Sequence, residues 1–130
     1  MPITPLTKGL HHVALRCSNF QRTKLFYQDT LGLTLAMETP EFLAFIVGSV
    51  IIGFKLATPV HHEDTAFTPF NIGLDHLAIA CETEGELHRV ADGLAAASVE
   101  NTGVKMDETL QKLYVAFKDP DRIQWEFYMV

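Results

Sequence analysis

Residues 9–17 read GLHHVALRC and residues 73–81 read GLDHLAIAC, so nearly the same nine letters occur twice, 64 residues apart, in a chain of 130. Gly9 matches Gly73, Leu10 matches Leu74, His12 matches His76, Ala14 matches Ala78 and Cys17 matches Cys81. A repeat that keeps glycine, histidine and cysteine at fixed places points to two copies of one supersecondary unit. Two unrelated strands of similar composition are the competing explanation, and the residues after each copy argue against it.

Both copies continue as strand, helix and then further strands. In the first, Ser18 stands as an N-cap with Gln21 three residues on, the spacing of a capping box. The helix is expected to run through FQRTKLFYQDTL, with Phe20, Leu25, Phe26, Tyr27 and Leu31 on its apolar side and Gly32 at the left-handed C-terminal position. In the second, Thr83 and Glu86 repeat the capping spacing, and Leu87, Val90, Ala91, Leu94 and Ala95 form the stripe. LTLAME, FLAFIVG and SVIIGFKLA read as strands after the first helix; SVENTG, TLQKLYVAFKD and RIQWEFYMV read as strands after the second. Residues 58–71, TPVHHEDTAFTPFN, have two prolines and no period and read as a connection. The expected architecture is one α+β domain over residues 1–130, built of paired βαβββ modules with helices covering one face of curved sheets. Module one is placed at about 8–57, the connecting loop at about 58–72 and module two at about 73–130.

Composition supports one buried core and removes some partners. With 48% hydrophobic and 20% charged residues the chain has apolar material for a single domain. A net charge of −6 and no cluster of Lys and Arg exclude the electrostatic footprint of a nucleic-acid binder. The first ten residues contain two prolines and no apolar signal region, and no run is long enough to span a membrane, so a cytoplasmic protein is expected. Cys17 and Cys81 lack CxxC spacing and read as reduced, structural thiols.

Side chains alternate across a strand, so His12, Ala14 and Arg16 share one face, while His11, Val13 and Leu15 share the face toward the helix. The same alternation puts His76, Ala78 and Ala80 opposite Leu77 and Ile79. His12 and His76 thereby hold equivalent places, each followed by a small alanine. A lone strand histidine is usually a hydrogen-bonded or half-exposed residue; two at one repeat position point to a site, with His11 as a bystander. On the last strand Gln124, Glu126 and Tyr128 face away from Trp125, Phe127 and Met129. A glutamate pointing into such a core incurs a desolvation cost unless a cation meets it. Two imidazoles and one carboxylate suit iron(II), nickel, zinc, manganese or cobalt, with open positions left for substrate.

GLHHVALRC followed by LFYQDTLGL, the echo GLDHLAIAC, and the ending YVAFKDPDRIQWEF resemble the vicinal oxygen chelate superfamily, which includes glyoxalase I, bleomycin-resistance proteins, fosfomycin-resistance proteins and extradiol dioxygenases. The likeness covers nearly the whole chain, and DPD followed five residues later by glutamate is its most specific motif. It implies the glyoxalase/bleomycin resistance/dihydroxybiphenyl dioxygenase-like fold and a divalent metal ion held by His12, His76 and Glu126. It further implies a small-molecule substrate and a homodimer, often with modules exchanged. In glyoxalase-like sequences a glutamate stands about where Gly53 stands here, so the fourth ligand is missing. Lys55 shares the Gly53 face, either to meet an anion or to reach solvent. Arg122 replaces the usual glycine after DPD.

The resemblance implies a metal-dependent enzyme that chelates a small substrate through neighbouring oxygens, of the lyase/isomerase or the extradiol dioxygenase type. A non-enzymatic binder of the bleomycin-resistance type and a thiol transferase of the fosfomycin-resistance type are the alternatives. Glu126, Tyr128, Tyr114 and the loop pair His61 and His62 are the candidates for proton transfer. Phe45, Phe54 and Trp125 are the candidates for an apolar pocket lining.

Overall fold

Strand β1, His12–Cys17, runs parallel to β4, Val50–Leu56, and antiparallel pairing then adds β3, Phe42–Val47, and β2, Thr34–Thr39, in the order β1-β4-β3-β2. The second sheet repeats this connectivity. In it β5, Leu77–Cys81, is parallel to β8, Gln124–Met129, followed by β7, Lys112–Lys118, and β6, Lys105–Asp107, in the order β5-β8-β7-β6. Helices α1, Phe20–Lys24, and α2, Glu84–Ala96, each link the first strand of a sheet to the rest. This is the expected α+β pattern of two βαβββ arrangements. The computed structural model describes residues 1–58 and 65–130, and the chain divides into the units Met1–Ala57 and Thr58–Val130. No helix among the described residues is long and apolar enough to cross a membrane.

The registers show how deep the repeat runs. Ala14 pairs with Gly53, which pairs with Ala44; Ala78 pairs with Glu126, which pairs with Ala116. Because Ala14 and Ala78 are repeat partners, Gly53 and Glu126 are equivalent positions.

In each unit the core lies on the helix side of the sheet. Tyr27, Phe45 and Phe54 are fully buried in the first unit, with the Tyr27 ring 4.7 Å from that of Phe54 and 5.6 Å from that of Phe45. Trp125, Leu87, Leu94, Val115 and Phe117 are buried in the second, where Phe117 stacks on Phe127 at 5.4 Å. Phe45, Phe54 and Trp125, expected to line an apolar pocket, are members of this packed core. Phe54 pairs with Leu15, and Trp125 with Leu77, on the face opposite that of Ala14 and Ala78, so strand alternation assigns them to packing. Cys17 and Cys81 are buried and form no disulfide.

Three local expectations change. The cap of α1 is Asn19, whose Oδ1 accepts from the Arg22 backbone N–H at 2.9 Å; Ser18 Oγ is taken by the Arg22 guanidinium instead. The helix expected through residue 31 is α-helical only to Lys24 and continues as a π-helical turn, Leu25–Thr30, closed by the Leu31 N–H on the Phe26 carbonyl. That widened turn buries both Phe26 and Tyr27, which are neighbours in the chain. SVENTG contributes only the Asn101 bridge to Phe117, and the strand falls later, at β6. Asn101 Oδ1 accepts from the Gly103 N–H and Gly103 has φ +67°, so side-chain turn chemistry overrides the strand pattern there. Thr83, by contrast, caps α2 as expected, accepting from the Glu86 N–H at 3.1 Å. Gly32 has φ +71° as its place predicts.

Thr23 of α1 is fully buried, and its hydroxyl has no hydrogen-bond partner among the described residues. Replacing it with valine removes an unpaired polar atom with little change of shape. Thr23→Val should raise unfolding stability by about 1 kcal/mol in urea titrations. A loss of stability would show that the hydroxyl is paired in solution.

Candidate metal centre

Glu126 is placed by β8 on the face of Ala78 and Ala116, and these small neighbours leave its carboxylate room beside the sheet. Its side chain is 11% exposed, and its Oε2 lies 3.2 Å from His76 Nε2. Burial, the largest cause, holds its carboxyl above the ordinary range; the Asp107 and Asp75 carboxylates push the same way, and His76 opposes them.

The other nitrogen of His76 determines what this pair can do. Nδ1 lies 2.6 Å from Asp75 Oδ1, and an ionised carboxylate only accepts, so Nδ1 carries the proton. A neutral His76 then turns its Nε2 lone pair toward a carboxylate oxygen that also has only lone pairs to offer. Two lone pairs 3.2 Å apart need a proton on one of the two groups, the imidazole or the buried Glu126 carboxyl, or a metal ion bound by both. The Asp–His–cation arrangement is the one in which a carboxylate orients a ligating imidazole and raises its basicity. The donor chemistry therefore fits a divalent ion. Among the described residues no three His, Cys, Asp or Glu side chains are drawn together tightly enough to be a complete cage.

His12 begins β1 in the first unit and is exposed there. Its Nδ1 meets His11 Nδ1 at 2.9 Å, with the rings edge to face at 5.1 Å. One nitrogen donates and the other accepts. His11 and Asp75, equivalent in the repeat, each contact the neighbouring histidine. His11, read from alternation as a bystander facing away from His12, is in direct contact with the His12 ring.

Tyr128 and Tyr114 pair across β8 and β7 on the Glu126 face, their rings stacked at 6.2 Å. Tyr128 donates its hydroxyl to Asp107 Oδ2 at 2.7 Å. That hydrogen bond is the main cause that pushes the Tyr128 phenol up to about 12 and holds the Asp107 carboxyl down. Tyr128 is therefore a committed, protonated donor. The Tyr114 hydroxyl has no hydrogen-bond partner among the described residues and is the freer of the two. Asp107 was not foreseen, since it lies 21 residues from Tyr128 with no local pattern to mark it. His61 and His62 lie outside the described residues.

The position equivalent to Glu126 in the first unit is closed. A Cβ added to Gly53 would lie 2.4 Å from Cζ and 2.7 Å from Cε2 of Phe42, so the phenyl ring covers the place where a fourth ligand would begin. Lys55, on the same face, is exposed and pairs in register with Arg16. Arg122 takes the left-handed conformation of the glycine it replaces, φ +67°, and its guanidinium pairs with Glu100 at 3.0 Å.

Comparison with known proteins agrees with this architecture. Residues 9–127 match the model of the Glyoxalase/Bleomycin resistance protein/Dioxygenase superfamily. The protein YwkD of Bacillus subtilis (strain 168) is 29% identical over 131 aligned residues, covering 95% of this chain and 98% of that protein. The crystal structure of a glyoxalase family protein from Enterococcus faecalis superposes with a TM-score of 0.76 at 28% identity, over 93% of this chain and 97% of that one. Lactoylglutathione lyase from Agrobacterium tumefaciens shares the fold, with a TM-score of 0.74 at 16% identity over 95% of both chains. Matched over most of its length and repeating the same strand order in two sheets, the chain belongs to the Glyoxalase/Bleomycin resistance protein/Dioxygenase superfamily.

Proposed function

We propose that the protein is a metal-dependent enzyme in which His76 and Glu126, joined by His12, hold a divalent ion that takes two neighbouring oxygens of a small substrate, with a homodimer as the working unit. The observation that carries this reading is the facing of His76 Nε2 and Glu126 Oε2, with Nδ1 already committed to Asp75. When bound, such an ion supplies Lewis-acid stabilisation of oxyanionic or enolate-like charge. The chain's own residues do the rest. Asp75 fixes the His76 ring, and Tyr128, tied to Asp107, holds the Tyr114 ring by stacking. Tyr114, with its hydroxyl uncommitted, is the proton carrier beside the site. The ring of Phe42 over Gly53 favours three protein ligands and open positions, the arrangement of a lyase, isomerase or oxygenase that binds substrate directly.

Untagged protein should purify or reconstitute with about one ion per chain by atomic emission. His76→Ala should lose the ion, and Asp75→Asn should weaken it about 10- to 100-fold, the usual effect of removing the group behind a ligating imidazole. Light scattering on the same samples should return twice the 14.5 kDa chain mass. Protein that takes up none of iron(II), nickel, zinc, manganese or cobalt would support a non-enzymatic binder instead. A monomer that still holds metal would remove the dimer alone.

A further inference from the structure

One strand pair away from Glu126 along the same face of the second sheet, Lys118 of β7 pairs directly with Gln124 of β8. Alternation puts both side chains on the side of Ala116 and Glu126, about 7 Å along the strands from that pair. Both line a half-open cavity of about 140 Å³ that is also lined by residues 100–102. That segment is held against β7 by hydrogen bonds from Thr102 N to the Ala116 carbonyl, from Ala116 N to Thr102 Oγ1, and from Lys118 N to the Glu100 carbonyl.

Nearly every polar group around this cavity is already engaged. Asn101 uses its amide on the Val99 carbonyl and its Oδ1 on the Gly103 N–H. Thr102 Oγ1 accepts from Ala116 and donates to the Gly103 carbonyl. The Glu100 carboxylate is paired with Arg122 at 3.0 Å. The side chains of Lys118 and Gln124, both half-buried, make no hydrogen bond or ion pair among the described residues. Two half-buried side chains left unengaged among the described residues, one ending in an ammonium and its strand partner in a carboxamide, offer N–H donors that together suit an anion.

We propose that this cavity is a subsite for a carboxylate of the substrate, gripped by the Lys118 ammonium and the Gln124 amide while the substrate's oxygen pair lies beside Glu126. It rests on the metal reading only for where that oxygen pair sits. The substrate class is then a small oxygenated acid with a second carboxylate three or four bonds from the chelating oxygens, a span set by the roughly 7 Å between the two strand pairs.

Two arms test this. With zinc-loaded protein in a calorimeter, 2-hydroxyglutarate should bind at least about tenfold more tightly than 2-hydroxypentanoate, which keeps the oxygen pair and lacks the distal carboxylate. Lys118→Met, which retains most of the aliphatic stem, should erase that gap without changing 2-hydroxypentanoate binding. With metal-free, ¹⁵N-labelled protein, glutarate should shift the amides of Ala116, Lys118 and Gln124, and Lys118→Met should abolish the shifts. Absence of glutarate shifts, or a tenfold gap that survives in the variant, would overturn the subsite. The metal-free arm decides even if no zinc binds, so failure of the metal reading and failure of the subsite are separable.

Discussion

Glu126→Gln should lower affinity for a divalent ion by on the order of 10²–10³ while raising the thermal stability of the metal-free chain at neutral pH. Glutamine keeps the shape of the side chain and one carbonyl oxygen, so packing against Ala78 and Ala116 is retained and the lost negative charge is what the measurement reads. In the folded chain burial holds the Glu126 carboxyl above its ordinary value near 4.5, and the attraction of His76 offsets only part of this. The folded state therefore binds more protons than the unfolded chain in the window just above the ordinary glutamate range. Stability from this group is present below that window and is lost as pH rises through it. Glutamine has no proton to lose. The melting temperatures of variant and parent, both metal-free, should converge at pH 4 and separate as pH rises, with the variant higher. A difference that does not change with pH would assign the effect to packing. The two halves of the result belong together, because the same desolvated carboxylate that destabilises the empty site is what a cation neutralises.

Gly53→Glu is expected to cost about 1–3 kcal/mol, a large fraction of the stability of a chain this size. Even the first carbon of the new side chain would lie within 2.7 Å of two Phe42 ring carbons, so the ring must swing out before any glutamate rotamer is accepted. The backbone itself imposes no strain, since Gly53 pairs regularly with Ala14 and Ala44. The cost is thus a collision and should be removable. Phe42→Ala combined with Gly53→Glu should recover most of the loss, giving a coupling of about 1–2 kcal/mol in a double-mutant cycle by urea denaturation. Additive effects would mean that Phe42 does not occupy this space in solution. The aromatic ring across a strand glycine explains why the repeat is broken at this position: the first unit has exchanged a carboxylate for packing, and the second has kept the carboxylate.

Much of the architecture was legible in the letters because the signals are local. The nine-residue repeat announced two units of one kind, and the sheets repeat one strand order. Thr83 at its cap and Gly32 at its left-handed turn obey rules that need only neighbouring residues. Where two local signals competed, the reading failed. Ser18 is the expected cap, but Asn19, one residue on, accepts from the Arg22 N–H while Ser18 Oγ accepts from the Arg22 guanidinium. SVENTG has strand-like spacing, yet Asn101 and Gly103 form a turn that ends pairing after one bridge.

The candidate site divides along the same line. His76 and Glu126 could be singled out from strand alternation and residue type alone, since both properties repeat every second residue. That Asp75 orients His76, that Asp107 ties Tyr128, that Phe42 covers Gly53 and that the Lys118 side chain is unengaged among the described residues all depend on pairing register and on which groups are already engaged. Periodicity reports the face on which a side chain stands. Its partner is decided by strands brought together from distant parts of the chain, where distances of a few ångströms separate a ligand from a packed ring.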